Sequence, residues 1–244
     1  MARGRRRKLA TRASIVLTLG VMVWALGFSP LLDVRHVRVI GASHTTAREV
    51  ARVAGLDSDD NLLLLSTAEV EERAETLPWV KRAEAGRVLP GTVRVRIVER
   101  RPAAVVSMGA ARWTVDRWGR VLQVGRARKG LPVLAGSAIE DIEPGAELRA
   151  PHVLDALTAF RSLPPRLERR VEAIFAPTLE RISFSLDGST LVRYGPAERL
   201  WAKNKVLTAV LKRLRAQGRT AAYIDVRVPT SPAVADAVDA PTAR

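Results

Sequence analysis

Side chains that could catalyse a reaction or bind a metal ion are few and scattered in this 244-residue chain. The chain has no cysteine, which excludes disulfide scaffolds, thiolate-bound zinc, iron–sulfur clusters and thiol catalysis. Its three histidines, His36, His44 and His152, stand in different segments. Because a metal ion needs several ligands that converge, we predict no metal site and interpret each histidine as structural or solvated.

The common catalytic and phosphate-binding motifs are also missing. The sequence contains no G-x-S-x-G, H-E-x-x-H or G-x-G-x-x-G, and the P-loop-like spacing of Gly125 and Gly130 is followed by Leu131 where a lysine is needed. The acidic pairs Asp59-Asp60 and Glu71-Glu72 are adjacent in sequence, so their side chains do not converge on one site. We therefore predict that the protein is not an enzyme and needs no cofactor.

The charge of the chain also bears on its function. The sequence has 40 Lys+Arg and 25 Asp+Glu, which gives a net charge of +15. Arg94, Arg96 and Arg100 alternate with apolar residues along a predicted strand. We interpret this stripe as the solvated face of that strand; the alternative is a site for an anionic envelope polymer, lipid headgroups or an acidic partner. The stripe has no interleaved aromatic residue, which argues against a specific nucleic-acid partner.

Residues 13–32 predict a transmembrane helix. They carry no charge, and 20 helical residues span ~30 Å, the thickness of the hydrocarbon core. The preceding residues 1–12 hold six cations and no acid, so they should stay in the cytoplasm and leave everything after Asp33 outside it. The alternative is a cleaved signal peptide with a small-residue site at Ala25-Leu26-Gly27. The apolar run continues beyond that site, which favours an uncleaved anchor.

The positions of strands and helices divide the exported part into two domains, with a boundary near Pro102. Residues 33–102 predict the order strand, helix, helix, strand, strand, because capping boxes at Thr46-Ala47-Arg48-Glu49 and Ser66-Thr67-Ala68-Glu69 open two short helices. The apolar run at residues 61–65 is interpreted as a buried connector.

Residues 103–229 predict a strand-rich domain. Turn signals at Asp116-Arg117-Trp118-Gly119 and Asp187-Gly188-Ser189 indicate hairpins. Apolar periodicity predicts helices over residues 151–163 and 197–217, and a final strand over residues 223–228. The fold class is therefore α+β, with a mostly antiparallel sheet and flanking helices. Residues 230–244, rich in Ala, Pro, Asp and Thr, are expected to be a flexible tail.

Several motifs in this order resemble a known family. They are Val37-Arg38-Val39-Ile40-Gly41, Leu77-Pro78-Trp79-Val80-Lys81, the run from Leu89-Pro90-Gly91-Thr92 to Arg101-Pro102, Val115-Asp116-Arg117-Trp118-Gly119, Leu131-Pro132-Val133-Leu134, and Tyr223-Ile224-Asp225-Val226-Arg227-Val228-Pro229. Together with the basic tail and the single span, they resemble the bacterial cell-division family FtsQ, also called DivIB. The first exported domain is similar to a POTRA domain, and the second to the family's β domain.

The resemblance implies an essential-type scaffold at the division septum, anchored in the cell membrane, which binds FtsB- and FtsL-like single-pass proteins. In the family, a partner adds to the sheet edge beside the last strands of the second domain. The stretch of this chain that matches that edge is residues 228–234, although Pro229 and Pro232 lack N–H donors. Pro196 also stands where some relatives have an arginine. The implied partner-binding residues are Arg227, Val228, Pro229, Thr230, Ser231, Ala233 and Val234, with Tyr194, Arg193 and Lys203 as nearby surface candidates.

Two other functions are weighed beside this one. A POTRA domain also occurs in outer-membrane transport and chaperone components, but the residues after Arg120 are too few for a membrane barrel and lack its alternation. The positive charge that remains outside residues 1–12 leaves open a membrane-tethered binder of anionic polymer.

Overall fold

The computed structural model describes residues 14–21, 32–56, 60–108, 111–125, 130–136 and 143–236. The chain divides into two units between Glu99 and Arg100, three residues before the predicted boundary at Pro102. Residues 14–21 form a helix, α1. Within the described ranges, no helix combines the length and the apolar character that crossing a membrane requires. The basic tail at residues 1–12 and the alternative cleavage site Ala25-Leu26-Gly27 lie outside the described residues.

The first unit has the predicted order of elements. Its strands are β1 (His36–Ile40), β2 (Val80–Val88) and β3 (Thr92–Glu99), and its helices are α2 (Ala47–Ala54) and α3 (Thr67–Glu75). The sheet order is β1-β3-β2, with β1 parallel to the central strand β3 and β2 antiparallel to it. Both predicted N-caps are present, since the hydroxyl groups of Thr46 and Ser66 accept the main-chain N–H groups of Glu49 and Glu69, and at Thr46 the carboxylate of Glu49 also accepts the N–H of Thr46 to complete the capping box.

Alternation along β3 places its two sets of side chains as predicted. Val93, Val95 and Ile97 are buried in the core of the unit, whereas Arg94 and Arg96 are exposed. Arg100 departs from the predicted stripe, because it lies beyond the end of β3 and donates a 2.9 Å hydrogen bond from Nη1 to the carboxylate of buried Asp116.

The apolar run at residues 61–65 is only partly a buried connector. Leu62 is fully buried, but the side chains of Leu63 and Leu64 are 48% and 71% exposed. Residues 62–64 form a turn, which points successive side chains in different directions and cannot bury all of them. The interpretation as a buried segment is therefore wrong for these two leucines.

The second unit is built on one large sheet. Among its described residues the strand order is β12-β11-β10-β9-β8-β7-β4-β5-β6. Three neighbouring pairs are parallel (β10 with β11, β7 with β8, β4 with β7) and the others are antiparallel, so the mostly antiparallel prediction is confirmed. The strands are β4 (Pro102–Met108), β5 (Ala111–Asp116), β6 (Val121–Val124), β7 (Val133–Gly136), β8 (Val171–Ala176), β9 (Ser183–Leu186), β10 (Thr190–Arg193), β11 (Ala221–Asp225) and β12 (Ala233–Asp236).

Helices cover one face of this sheet. α4 (Pro151–Ser162), the short α5 (Pro165–Glu168) and α6 (Leu200–Ala216) contribute to the same hydrophobic core as buried strand residues such as Ile174, Phe184 and Ile224. α6 begins three residues later than predicted. Arg199, at its N-cap, has a left-handed backbone with φ of 50°, and the Glu198 N–H donates to the Pro196 carbonyl, so residues 197–199 belong to a turn.

The end of the chain differs most from the prediction. The final predicted strand ends early, at Asp225, and Ala233–Asp236 form the additional strand β12 inside the region expected to be a flexible tail. That expectation is wrong for these four residues, because antiparallel pairing with β11 provides main-chain hydrogen bonds that a weak local pattern does not reveal. Residues 237–244 lie outside the described residues.

Candidate protein-binding edge of the second sheet

The strand β12 forms one edge of the second sheet. It pairs with β11 in the register Asp225–Ala233, Ile224–Val234 and Tyr223–Ala235, and within the described part of the chain it has no strand on its other side. All four of its residues are exposed. An edge strand of this kind presents main-chain N–H and C=O groups to which a further strand can bind.

The opposite edge of the sheet, at β6, is partly covered by the chain itself. The N–H of Val121 donates to the carbonyl of Ala146, and the N–H of Gly145 donates to the carbonyl of Val121, at 2.9 and 2.8 Å. An isolated bridge between Arg120 and Glu147 continues this cover. Among the residues that the structure describes, β12 is therefore the edge with more main-chain groups available for pairing.

Two sets of contacts hold β12 in place. At its far end, the guanidinium group of Arg219 donates to both carboxylate oxygens of Asp236, at 2.7 Å for Oδ1. At its near end, the connection from β11 turns through residues 228–231, where the N–H of Ser231 donates to the carbonyl of Val228 at 3.0 Å. Pro229 and Pro232 lie in this connection, so they do not interrupt the ladder of β12.

A carboxylate beside the edge organises the neighbouring side chains. Asp225 accepts hydrogen bonds from Nε, Nη2 and the main-chain N–H of Arg227, and from the hydroxyl group of Tyr223 at 2.8 Å. Burial would raise the pKa of Asp225, but these donors outweigh burial and lower the pKa to about 2. Burial and the bond to Asp225 raise the pKa of Tyr223, and the guanidinium group of Arg193 lies 4.9 Å from the centre of the Tyr223 ring.

The cross-strand register connects the edge to a groove on the sheet face opposite the helices. One row of paired residues crosses from Phe175 through Ser183, Arg193 and Asp225 to Ala233 on β12. The groove has a volume of about 570 Å³ and is lined in part by Phe175, Leu191, Arg181, Arg193 and Arg227. Phe175 is 41% exposed and Leu191 is 37% exposed, so the groove combines apolar surface with cations.

Gly195 allows the chain to shape this groove. Its φ is +73°, and a Cβ atom at this position would lie 2.9 Å from Cγ of Arg227. Only glycine adopts this backbone without strain and leaves room for the stem of the arginine.

The predicted partner-binding residues are only partly brought together. Ala233 and Val234 lie on the edge strand, whereas Val228, Pro229, Thr230 and Ser231 lie in the connection before it, and Arg227 borders the groove. The pattern-based placement of the edge at residues 228–234 is therefore shifted by several residues from the strand that forms it.

Tyr194 and Lys203 are not surface residues, and their assignment as surface candidates is wrong. Tyr194 is fully buried, and its hydroxyl group donates to Oδ1 of Asn204 at 3.0 Å. Lys203 is 2% exposed, and its Nζ donates to the carbonyl of Pro196 and lies 5.1 Å from the centre of the Tyr194 ring. Burial lowers the pKa of Lys203. Both side chains fix the loop before α6 to the core.

Several members of this surface were missed from the sequence. Ala235 and Asp236 complete the edge strand, Arg219 fixes its end, and Phe175, Arg181 and Leu191 line the groove. Phe175 and Leu191 occupy exposed positions of β8 and β10, but no local signal in the sequence connects them to β12. In the described ranges, no three His, Asp or Glu side chains converge as a metal site would require.

Comparisons with known proteins agree with this architecture. Residues 32–100 match the model of the "POTRA domain, FtsQ-type" family. The chain is 30% identical over 234 residues to the "Cell division protein FtsQ" of Streptomyces bingchenggensis, which covers 94% of this chain and 86% of that protein. The protein of the same name from Mycobacteroides abscessus is 30% identical, with 95% of this chain and 72% of that protein covered. The protein of the same name from Corynebacterium glutamicum is 26% identical, with 82% of this chain and 86% of that protein covered.

Proposed function

Because this chain belongs to the FtsQ family of cell division proteins, we propose that it is a membrane-anchored scaffold of the septal division complex. It acts by binding other division proteins and not by catalysis. Its expected partners are FtsB- and FtsL-like single-pass proteins. Residues 13–32 are the proposed anchor, with the N-terminus in the cytoplasm and both folded units outside it at the septum.

The observation that carries this proposal is the open edge at β12. A partner segment adds to β12 as a further strand, about 14 Å from Arg193 on β10, and a separate part of the partner crosses the sheet face to the groove beside Arg193 and Arg227. The recognition mode is β-strand addition, in which main-chain hydrogen bonds give affinity and side-chain contacts give specificity.

The size of the edge sets what else the partner must contact. Four residues of β12 extend about 14 Å, and each added hydrogen bond contributes about 0.5–1.5 kcal/mol net. Association itself costs about 4–15 kcal/mol, so four such bonds do not hold a partner alone. A separate part of the partner must therefore cover the apolar side chains of Phe175 and Leu191 on the sheet face and pair acidic side chains with the arginines of the groove.

Two matched valines at opposite edges of the sheet provide the test. Val234 on β12 is 40% exposed, and Val124 on β6 is 54% exposed. Full-length protein in detergent would be mixed with its FtsB- and FtsL-like partners, and their capture would be measured. We expect Val234→Lys to reduce capture strongly, because a lysine on an edge strand opposes strand addition, and Val124→Lys to leave capture unchanged.

Both variants should unfold in urea like the unmodified protein, since both side chains are exposed. Capture by Val234→Lys equal to that of the unmodified protein would reject β12 as the binding edge.

In cells, depletion of the protein should give filaments with unfinished septa. Expression of Val124→Lys should restore division, and expression of Val234→Lys should not. Normal division after full depletion would argue against the scaffold role itself.

A further inference from the structure

We propose that one end of the first unit inserts into the lipid–water interface of the membrane through three exposed leucines. We call this end the leucine tip and define it as Leu63, Leu64 and Leu89. The inference rests on the proposed membrane anchor but not on the proposed partner-binding edge, which belongs to the other unit.

The first loop of the tip is hydrogen-bonded to the place where the chain enters the unit. The N–H of Leu62 donates to the carbonyl of Leu32 at 2.7 Å, and the N–H of Val34 donates to the carbonyl of Asp60 at 2.8 Å. Leu32 is the last residue of the uncharged segment 13–32. The loop that carries Leu63 and Leu64 therefore begins beside the point where the proposed anchor ends.

The second loop of the tip, between β2 and β3, lies against the same entry segment. The carbonyl of Gly91 accepts the N–H groups of Arg35 and His36 at 2.8 and 3.1 Å. A Cβ atom at Gly91 would lie 2.6 Å from the carbonyl oxygen of Asp33, so glycine is required for this close approach. Leu89, two residues earlier, is thereby held near the anchor as well.

The three side chains at these loops are unusually exposed for leucines. Leu63, Leu64 and Leu89 are 48%, 71% and 63% exposed, whereas Leu62, which precedes the first two, is fully buried in the core of the unit. Apolar side chains of this kind favour the boundary between headgroups and acyl chains, about 5–10 Å into the interface. The anchor would place them at that depth without a separate binding event.

Charges at the tip indicate how it contacts lipid. Arg35 and Arg87 are accompanied by Asp33 and Asp60, and Nη2 of Arg87 donates to the carbonyl of Leu65 at 2.6 Å. Positive and negative side chains are thus mixed at the leucine tip. Because their charges offset each other, the electrostatic attraction of the tip to anionic headgroups is small. Contact should be mainly apolar and depend little on the fraction of anionic lipid.

The absence of cysteine makes a site-specific test direct. Full-length Leu64→Cys and Leu89→Cys would each be labelled with a polarity-sensitive fluorophore and reconstituted in phosphatidylcholine vesicles, with and without phosphatidylglycerol. Quenching by spin-labelled lipid would be compared with quenching by aqueous iodide. The matched control is Val98→Cys, an apolar side chain that is 51% exposed and lies on β3 six positions beyond Thr92, about 20 Å further from the tip.

The labels at positions 64 and 89 should be quenched by the lipid and protected from iodide in both kinds of vesicle, and the label at position 98 should show the reverse. Iodide quenching at positions 64 and 89 equal to that at position 98 would overturn the proposal. Lipid quenching that appears only with phosphatidylglycerol would overturn its apolar mechanism.

A fourth label, at Val21→Cys inside the proposed anchor, distinguishes failure of the leucine-tip proposal from failure of the anchor proposal. Lipid quenching at position 21 without quenching at the tip would reject the tip alone. Absence of lipid quenching at position 21 would instead reject the anchor on which the tip depends.

Discussion

Asp225→Asn tests whether the carboxylate beside the edge strand organises this part of the fold. Asparagine keeps the shape of the side chain but removes its charge and one acceptor oxygen. The guanidinium group of Arg227 and the hydroxyl group of Tyr223 both donate to this carboxylate, at 2.7 and 2.8 Å. We expect the substitution to lower the free energy of unfolding and to reduce partner capture, because Arg227 borders the groove.

The size of the effect follows from the lowered pKa of Asp225. A carboxyl group whose pKa falls from 3.8 to about 2 on folding stabilises the folded chain by about 2 kcal/mol at neutral pH. The side chain of Arg227 is 53% exposed, so solvent screens the pair and we expect a loss of about 1–2 kcal/mol.

The sign of the pH dependence is fixed by the direction of the shift. Because the pKa is lower in the folded state, the stabilisation is fully present above the unfolded value of 3.8 and is lost as the pH falls towards 2. The difference between Asp225→Asn and the unmodified protein should therefore be largest near neutral pH and disappear near pH 2. A group with a raised pKa would give the opposite trend.

Urea unfolding followed by tryptophan fluorescence, at steps from neutral pH to about pH 2, measures this difference. Asp187→Asn is the matched control, because Asp187 pairs with Arg170 on the surface of the same unit and is 51% exposed. Its change should stay within about 0.5 kcal/mol. A difference for Asp225→Asn that does not vary with pH would refute the electrostatic explanation, since a purely steric effect is independent of protonation.

Three further changes test separate parts of the structure by the same unfolding measurement. Asp116→Ala should cost about 3–5 kcal/mol, because it removes the buried carboxylate that accepts from Arg100; a loss below about 1 kcal/mol would contradict that role. Gly195→Ala should cost about 1–2 kcal/mol through its left-handed backbone and its contact with Arg227, and an unchanged midpoint would contradict the strain. Glu99→Gln should destabilise the first unit by about 1–2 kcal/mol, since three consecutive main-chain N–H groups donate to its carboxylate. Burial would raise the pKa of Glu99, but these hydrogen bonds outweigh burial and lower it. The destabilisation caused by Glu99→Gln should therefore fade as the pH drops below about 4.5.

Local patterns in the sequence were sufficient for the helices and strands of the first unit, although not for the exposure of Leu63 and Leu64. The capping residues Thr46 and Ser66 and the alternation of Val93, Val95 and Ile97 predicted its helices and its central strand, and the structure has both. Such patterns succeed because a cap or an alternating strand depends on residues a few positions apart.

The candidate site could not be predicted in the same way. Val228 and Val234 look equally suitable for an edge in the sequence, yet only Val234 lies on the edge strand, because β11 ends at Asp225 and the chain turns before it pairs again. Tyr194 and Lys203 have polar groups typical of surface residues. In the structure both side chains are buried, because Asn204 accepts from the hydroxyl group of Tyr194 and the carbonyl of Pro196 accepts from Nζ of Lys203. Burial and edge position depend on which distant segments pack together.

The sequence by itself indicated the elements of the first unit, most of those of the second, the division into two units and the membership of the chain in a division-protein family. Tertiary structure decided which strand is left open, which arginines border the groove, and that the loops carrying Leu63, Leu64 and Leu89 are hydrogen-bonded to the segment that begins at Leu32. The physical reason is the sequence separation of the interacting residues, because helix caps and strand alternation depend on residues that are close in sequence. Whether a main-chain group or a leucine faces water is set by pairing between segments tens of residues apart.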